Sequence, residues 1–449
     1  MSALEPLVGG GAQPAQLLLR NVHALDPRAS LDALRDVRIA GGHIAEVAEP
    51  GSLDPGSGEE TIDGEGRLRL LPAFFDPHVH LRTPGQEHKE DIESGTRAAA
   101  AGGYCGVIAM PNTAPVLDSA PLLRSLRETA GREAHVPVGF LPAITRGLEG
   151  EQLTEMTELR EQGALGFTDD GKPVRSAGVL RKALQYQRLC GGVLALHEED
   201  PTLSRGGAMN EGAVSAALGI TGIPTVAEST MVARDAALAG YEQARVHFMH
   251  LSSVGSVAAL AAAKAEGIAV SGEVSPHHLL LTDEDVRSLD TRMKMHPPLT
   301  GEEDRRALIA ALRDGTIDCI ATDHAPHARD EKDVPFEQAP MGTTGLETAF
   351  SALYGGLVLS GELTLETLVE RMSAGAALFG LALPSLAPGG PANAVLIDLD
   401  ARWVAGEHGW ESRSENCCFA GRQMQSKVLL TLAAGACAHR DRAIAMVEA

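Results

Sequence analysis

FFDPHVHLR, residues 74–82, decides how this chain is read. An apolar run ends in two histidines, His78 and His80, at i, i+2 spacing. On a β-strand such side chains project to the same face, so two imidazoles stand side by side on a rigid support. Alone the pair is a weak signal: His23 and His43 show that histidines also occur elsewhere, and a packed core is the ordinary explanation. The pattern recurs, however. Asp170 lies in GFTDDG (166–171), His197 in VLALHEED (193–200), His250 in RVHFMHLS (245–252) and Asp323 in DCIATDHAPH (318–327). Each follows a short strand-like run, and helix-like segments separate them. In a parallel α/β barrel the carboxyl ends of all strands converge on one face. Residues remote in sequence would then surround one small volume. Four imidazoles and two carboxylates there form a donor set for one or two zinc-type cations.

Working outward, residues 71–384 alternate strand and helix. The strand candidates are LPAFFDPHVH, GYCGVIAMP, VPVGFLPA, ALGFTDD, GVLALHE, RVHFMHL, IAVSGEVS and IDCIATDHA. Stretches such as KEDIESGTRAAAAG and TVAESTMVARDAALAG fall between them. This order predicts a (β/α)8 TIM-type barrel in the α/β class. An open doubly wound sheet would require a glycine-rich phosphate turn after the first strand, and HVHLRTPG stands there instead. The flanks, 1–70 and 385–449, are all-β in character, with Gly41-Gly42 marking a hairpin. They are expected to join into one small composite β domain. Residues 1–15, rich in Gly, Pro and Ala, are expected to be loose.

Composition narrows the function. Of 449 residues 22% are charged and 44% hydrophobic, and the formal net charge is -22. So acidic a surface repels nucleic acid and anionic membranes, which excludes both as expected partners. The six cysteines contain no CxxC pair and suit reduced thiols in the cytoplasm. No signal peptide and no membrane-length apolar run is expected.

A bridged zinc pair sits ~3.5–4 Å apart and lowers the pKa of water toward roughly 7. Asp323 beside it is read as the catalytic acid/base that delivers a proton to a leaving nitrogen. The reaction class is hydrolysis of an unactivated C–N bond, or the reverse ring closure. Asp169-Asp170 before glycine also suits a plain turn. The segment 327–341, HARDEKDVPFEQAPM, is expected to be a mobile lid without structure of its own.

HVHLRTPGQEHKEDIESG, AMPNTAPVLD, GFTDDGKPV, HEED, EVSPHHLLLTDED, KMHPPL and IATDHAPH together closely resemble bacterial dihydroorotases of the first type, within the amidohydrolase superfamily. The resemblance implies reversible cyclisation of N-carbamoyl-L-aspartate to L-dihydroorotate in pyrimidine synthesis. It implies His78, His80 and Asp323 as ligands of one zinc, His197 and His250 as ligands of a second, and Asp170 as the bridge. Arg82 and Asn112 match residues that hold the substrate carboxylate. Arg82 is placed just above the metal on the same side of the strand as His80. His80, His327 and the backbone at Met341-Gly342 match further substrate contacts. Many relatives bridge their metals with a carboxylated lysine; Lys172 reads as a loop residue and not as that bridge. Two departures stand out: Thr83 replaces the usual Asp or Glu, and His296 replaces an Asn substrate contact. His277 and His278 read as supporting or packing residues. A homodimer and a complex with aspartate transcarbamoylase are the implied partner states. The competing readings are an allantoinase- or dihydropyrimidinase-type hydrolase, and an inactive scaffold subunit for the transcarbamoylase.

Overall fold

The computed structural model describes residues 5–10, 12–57 and 59–444. Its central strands are Phe74–Val79, Tyr104–Ala109, Val138–Phe140, Phe167–Thr168, Leu194–Leu196, Val246–Phe248, Val270–Val274 and Cys319–Ile320. They form a three-stranded and a five-stranded sheet, with parallel pairing between neighbours in each. Backbone bonds stitch the two into a ring. On one side Leu165 N–H donates to Phe140 O at 3.1 Å and Thr168 N–H to Pro142 O at 3.0 Å. On the other, Val79 bridges His324 in parallel and His80 N–H donates to His324 O at 2.9 Å. The predicted eightfold barrel is what the chain builds.

The first two strands are buried at every position, as strands covered on both faces must be. The barrel's outer cover comes from helices such as Ile92–Ala101, which packs on the second strand, and Val226–Glu242, which packs on the sixth. Asp91 caps the first by accepting from Ser94 N–H, while the Ser94 hydroxyl returns to the Asp91 amide, which satisfies donors that the first turn leaves orphaned. The second turns Ala227, Met231, Val232, Ala236 and Ala239 inward, the three-and-four spacing of one helical face.

The flanking β segments share one sheet, in the order Ala436–Arg440, Gln423–Ala433, Ala394–Val404, Arg69–Pro72, Leu17–Asp26, Leu31–Ala40 and His43–Ala48. The Gly41-Gly42 hairpin is present: Ala40 pairs His43, and both glycines have positive φ, +57° and +78°, the requirement of a type I′ turn.

Two expectations are corrected. The N-terminal stretch is not loose where it is described: Val8 exchanges both backbone bonds with Val138, and Ala15 N–H donates to Gly435 O. Its free amides and carbonyls find a barrel strand and the C-terminal hairpin. Residues 1–4 and 11 lie outside the described residues. The 327–341 segment also has structure of its own. Arg329–Lys332 is helical, Phe336 and Ala339 are buried, and two lysines tie it down. Lys332 Nζ donates to Thr291 O and Pro340 O, and Lys294 Nζ to Glu337 O and Ala339 O.

Candidate metal centre

Every expected ligand lies at the carboxyl end of a barrel strand or within three residues after it. His78 lies in the first strand and His80 directly after it, with ring centroids 5.4 Å apart. Asp170, His197, His250 and Asp323 follow the fourth, fifth, sixth and eighth strands. His250 and Asp323 leave their strands with positive φ, 31° and 48°. Such strained backbone in non-glycine residues is held by its surroundings and collects at functional sites.

The six side chains converge. Asp323 Oδ1 lies 3.0 Å from His80 Nε2 and 3.4 Å from His78 Nε2. Asp170 reaches all four imidazoles: Oδ1 is 3.6 Å from His78 Nε2, 3.6 Å from His197 Nδ1 and 3.9 Å from His250 Nε2, while Oδ2 is 3.5 Å from His80 Nε2. His197 Nδ1 and His250 Nε2 are 2.9 Å apart. All six residues are buried. His78, His80 and Asp323 place three ligand atoms within 4.8 Å of one another, and so do His78, Asp170 and His250.

Three observations test whether this set fits a divalent metal. His78 Nε2 is buried and has no hydrogen-bond partner, although buried polar atoms nearly always have one. His78 Nδ1–H donates to Glu273 Oε1 at 2.7 Å and His80 Nδ1–H to Asn112 Oδ1 at 2.8 Å, so both Nε2 atoms face inward, that of His80 toward Asp323 Oδ1. Finally, both carboxylates are held in the charged form. Burial opposes this, but the surrounding imidazoles outweigh it and keep Asp170 and Asp323 well below the usual carboxylate range. Against burial, the same carboxylates raise the pKa of His78 and His250 in return, so a divalent ion would take the place of the protons that this set of oriented imidazoles and charged carboxylates otherwise attracts.

The remaining expected residues fall nearby, with adjustments. Arg82 does not continue the strand, which ends at Val79. A turn with φ +56° at Arg82 places its guanidinium, and Nε donates to Pro326 O at 3.1 Å. Asn112 links ligand to ligand: its carbonyl takes His80, and its Nδ2 donates to Asp170 Oδ2 at 3.1 Å. The His296 ring stacks edgewise on His197 at 4.8 Å, and its Nε2 pairs with Glu199. His327 Nε2 donates to Met341 O at 2.9 Å. Gly342 N–H already donates to Lys294 O, so the backbone contact expected of it would require that bond to break. His278 is engaged by Ser275 Oγ and Pro297 O. Lys172 is exposed and lies outside the ligand cluster, as a loop residue does. Asp169 turns away from the ligands and accepts from Thr145 N–H at 2.9 Å.

Sequence reasoning missed the supporting carboxylates. Glu273 holds His78, His247 Nε2–H at 3.0 Å and the His250 amide at 3.2 Å. Asp76 accepts from His78 N–H and Thr322 N–H. The signal was there in a carboxylate set inside an otherwise apolar strand, AVSGEVS and FFDPH, because an unpaired charge in such a place is too costly to persist.

A sequence profile described as "Dihydro-orotase-like" matches residues 66–256. A dihydroorotase of Desulforapulum autotrophicum is 45% identical over 420 residues, covering 93% of this chain and 97% of its own length. One from Anaeromyxobacter dehalogenans is 44% identical, covering 95% and 98%. Among solved structures, the L-hydantoinase (dihydropyrimidinase) of Arthrobacter aurescens superposes with a TM-score of 0.85 at 24% identity, covering 96% of this chain and 97% of that one. A dihydropyrimidinase from Brevibacillus agri gives 0.82 at 22%, covering 96% of each. Fold and site together define a barrel enzyme of the cyclic-amide hydrolase type. Within that class the chain belongs to the dihydroorotase family.

Proposed function

We propose that this chain catalyses the reversible, zinc-dependent interconversion of N-carbamoyl-L-aspartate and L-dihydroorotate in the cytoplasm, as a step of pyrimidine synthesis. The observation that carries the reading is the Asp170 carboxylate, which faces all four imidazoles at 3.5 to 3.9 Å. The zinc ligands are His78, His80 and Asp323 on one side and His197 and His250 on the other, with Asp170 between them. One or two zinc ions held there would supply a Lewis acid that acidifies water and polarises a carbonyl.

The chain's own groups do the rest. The Arg82 guanidinium, fixed through Nε to Pro326 O, offers its terminal nitrogens to the substrate carboxylate. The family resemblance adds Asn112, His296 and His327 as further contacts to the substrate. In the hydrolytic direction water oxygen adds to the ring carbonyl carbon, and the bond from that carbon to the ring nitrogen breaks. Asp323 Oδ takes the proton from water and returns it to the departing nitrogen. Ring closure runs the same path backwards, with protonated Asp323 as the acid.

The competing hydantoinase-like reading rests on fold likeness alone, and the relatives at 45% and 44% identity point to dihydroorotase. The test is dihydroorotate hydrolysis by the purified chain, with hydantoin and dihydrouracil as rival substrates and zinc content measured on the same sample. Turnover of dihydrouracil but not dihydroorotate sinks the proposal. Gel filtration of the chain alone and mixed with aspartate transcarbamoylase tests the homodimer and the implied complex.

A further inference from the structure

We propose that Glu273 is a positioning residue that aims His78 at the metal and, through the same carboxylate, fixes the strand end that carries His250. This rests on the metal-centre reading above and deepens it. Glu273 sits in the seventh strand, Val270–Val274, and is 1% exposed. Its Oε1 accepts from His78 Nδ1–H at 2.7 Å and from the His250 backbone N–H at 3.2 Å. Its Oε2 accepts from His247 Nε2–H at 3.0 Å, and His247 Nδ1 accepts from the Ser271 hydroxyl at 2.9 Å. His247 is 0% exposed, so its bond to Glu273 lies out of solvent.

The consequence for His78 is chemical. A proton held on Nδ1 by a carboxylate leaves the lone pair on Nε2, the atom that faces Asp170 and Asp323. The negative charge behind the ring also makes that lone pair more basic, hence a better ligand. One carboxylate thus serves ligands from the first and the sixth strands. The alternative use of these residues is a separate cation site, since His247, Glu273 and Cys319 stand within 4.8 Å of one another. The structure argues against it. Both Glu273 oxygens already accept from imidazoles, both His247 nitrogens are engaged, and burial pushes the Cys319 thiol well up, so it is no thiolate.

The test substitutes Glu273→Gln and Glu273→Ala in the full chain and measures zinc affinity by competition with a chromophoric chelator. Gln keeps the shape and loses the charge: its carbonyl can still face His78 while its amide donates to a re-tautomerised His247. Zinc affinity is expected to fall roughly 10- to 100-fold. The readout that separates orientation from general stability is the proton and nitrogen-15 spectrum of the zinc-loaded protein. In the parent, Glu273 accepts from His78 Nδ1–H, which gives a downfield, slowly exchanging resonance; Glu273→Ala is expected to lose it, and a variant that keeps it overturns the positioning role. His78→Ala is the control. If His78→Ala loses zinc while Glu273→Gln binds it within about threefold of the parent, the positioning role is wrong and the metal centre stands. If His78→Ala binds zinc as the parent does, the metal-centre reading fails and takes this inference with it.

Discussion

Replacing Arg82 by Lys keeps the charge and removes the geometry, and the structure sets the size of the loss. Arg82 is 8% exposed and its Nε is spent on Pro326 O at 3.1 Å. That bond holds the guanidinium by its Nε edge, and the proposed substrate contact uses the two terminal nitrogens. A carboxylate meeting them forms two parallel charge-assisted bonds. Lysine has no Nε, so the anchor to Pro326 is lost and one point donor replaces the pair. Position 82 has φ +56° in the parent; lysine bears the same backbone strain as arginine, so that contribution cancels. What remains is about one charge-assisted hydrogen bond to substrate, ~1.5–3 kcal/mol, or roughly 10- to 150-fold in kcat/KM. The assay is dihydroorotate hydrolysis followed in the ultraviolet, at matched zinc content, with KM and kcat resolved separately. An Arg82→Lys enzyme within about threefold of the parent in kcat/KM would show that the carboxylate is held elsewhere.

Further outcomes are expected. His78→Ala and His80→Ala each lose zinc and activity together, because each supplies an inward Nε2 that no neighbour replaces; metal analysis after gel filtration checks it, and full activity in a metal-free variant refutes it. Zinc-loaded Asp323→Asn loses ~10²–10⁴-fold in both directions, since the amide cannot move a proton; near-normal kcat would assign that step to another group. Burial lowers Lys332 from its ordinary 10.5 to about 7. Between those values the unfolded chain holds a proton that the folded chain lacks, so stability rises with pH across that window. Thermal melts from pH 7 to 10 should show a slope that Lys332→Met reduces. An unchanged slope in the variant would mean that Lys332 stays charged when folded. The same variant frees Pro340 O and Thr291 O, so residues 327–341 should be cut faster by protease, and equal cutting rates would count against the tether.

The convergence of the six candidate ligands was legible in the sequence because their positions obey a one-dimensional rule. A strand that ends at a barrel mouth presents whatever follows it to the common centre, so His78, His80, Asp170, His197, His250 and Asp323 could be collected from the ends of apolar runs. The same periodicity gave the alternation of strand and helix and the Gly41-Gly42 hairpin. What hydrogen-bonds behind those ligands obeys no such rule. Glu273 and His78 are separated by 195 positions, and Asp76 and Thr322 by 246; only ring closure of the barrel brings them within reach. Strand alternation likewise does not account for Arg82, because the strand ends at Val79 and a left-handed residue redirects the chain. The 327–341 segment looks structureless as a string of charges and prolines, yet buried Lys332 and Lys294 fasten it to carbonyls that folding alone supplies. The sequence by itself determined which six candidate ligands share one end of the barrel, since strand ends and periodicity are local properties. Only the tertiary structure decided how each is oriented and held, because orientation depends on buried partners hundreds of residues away.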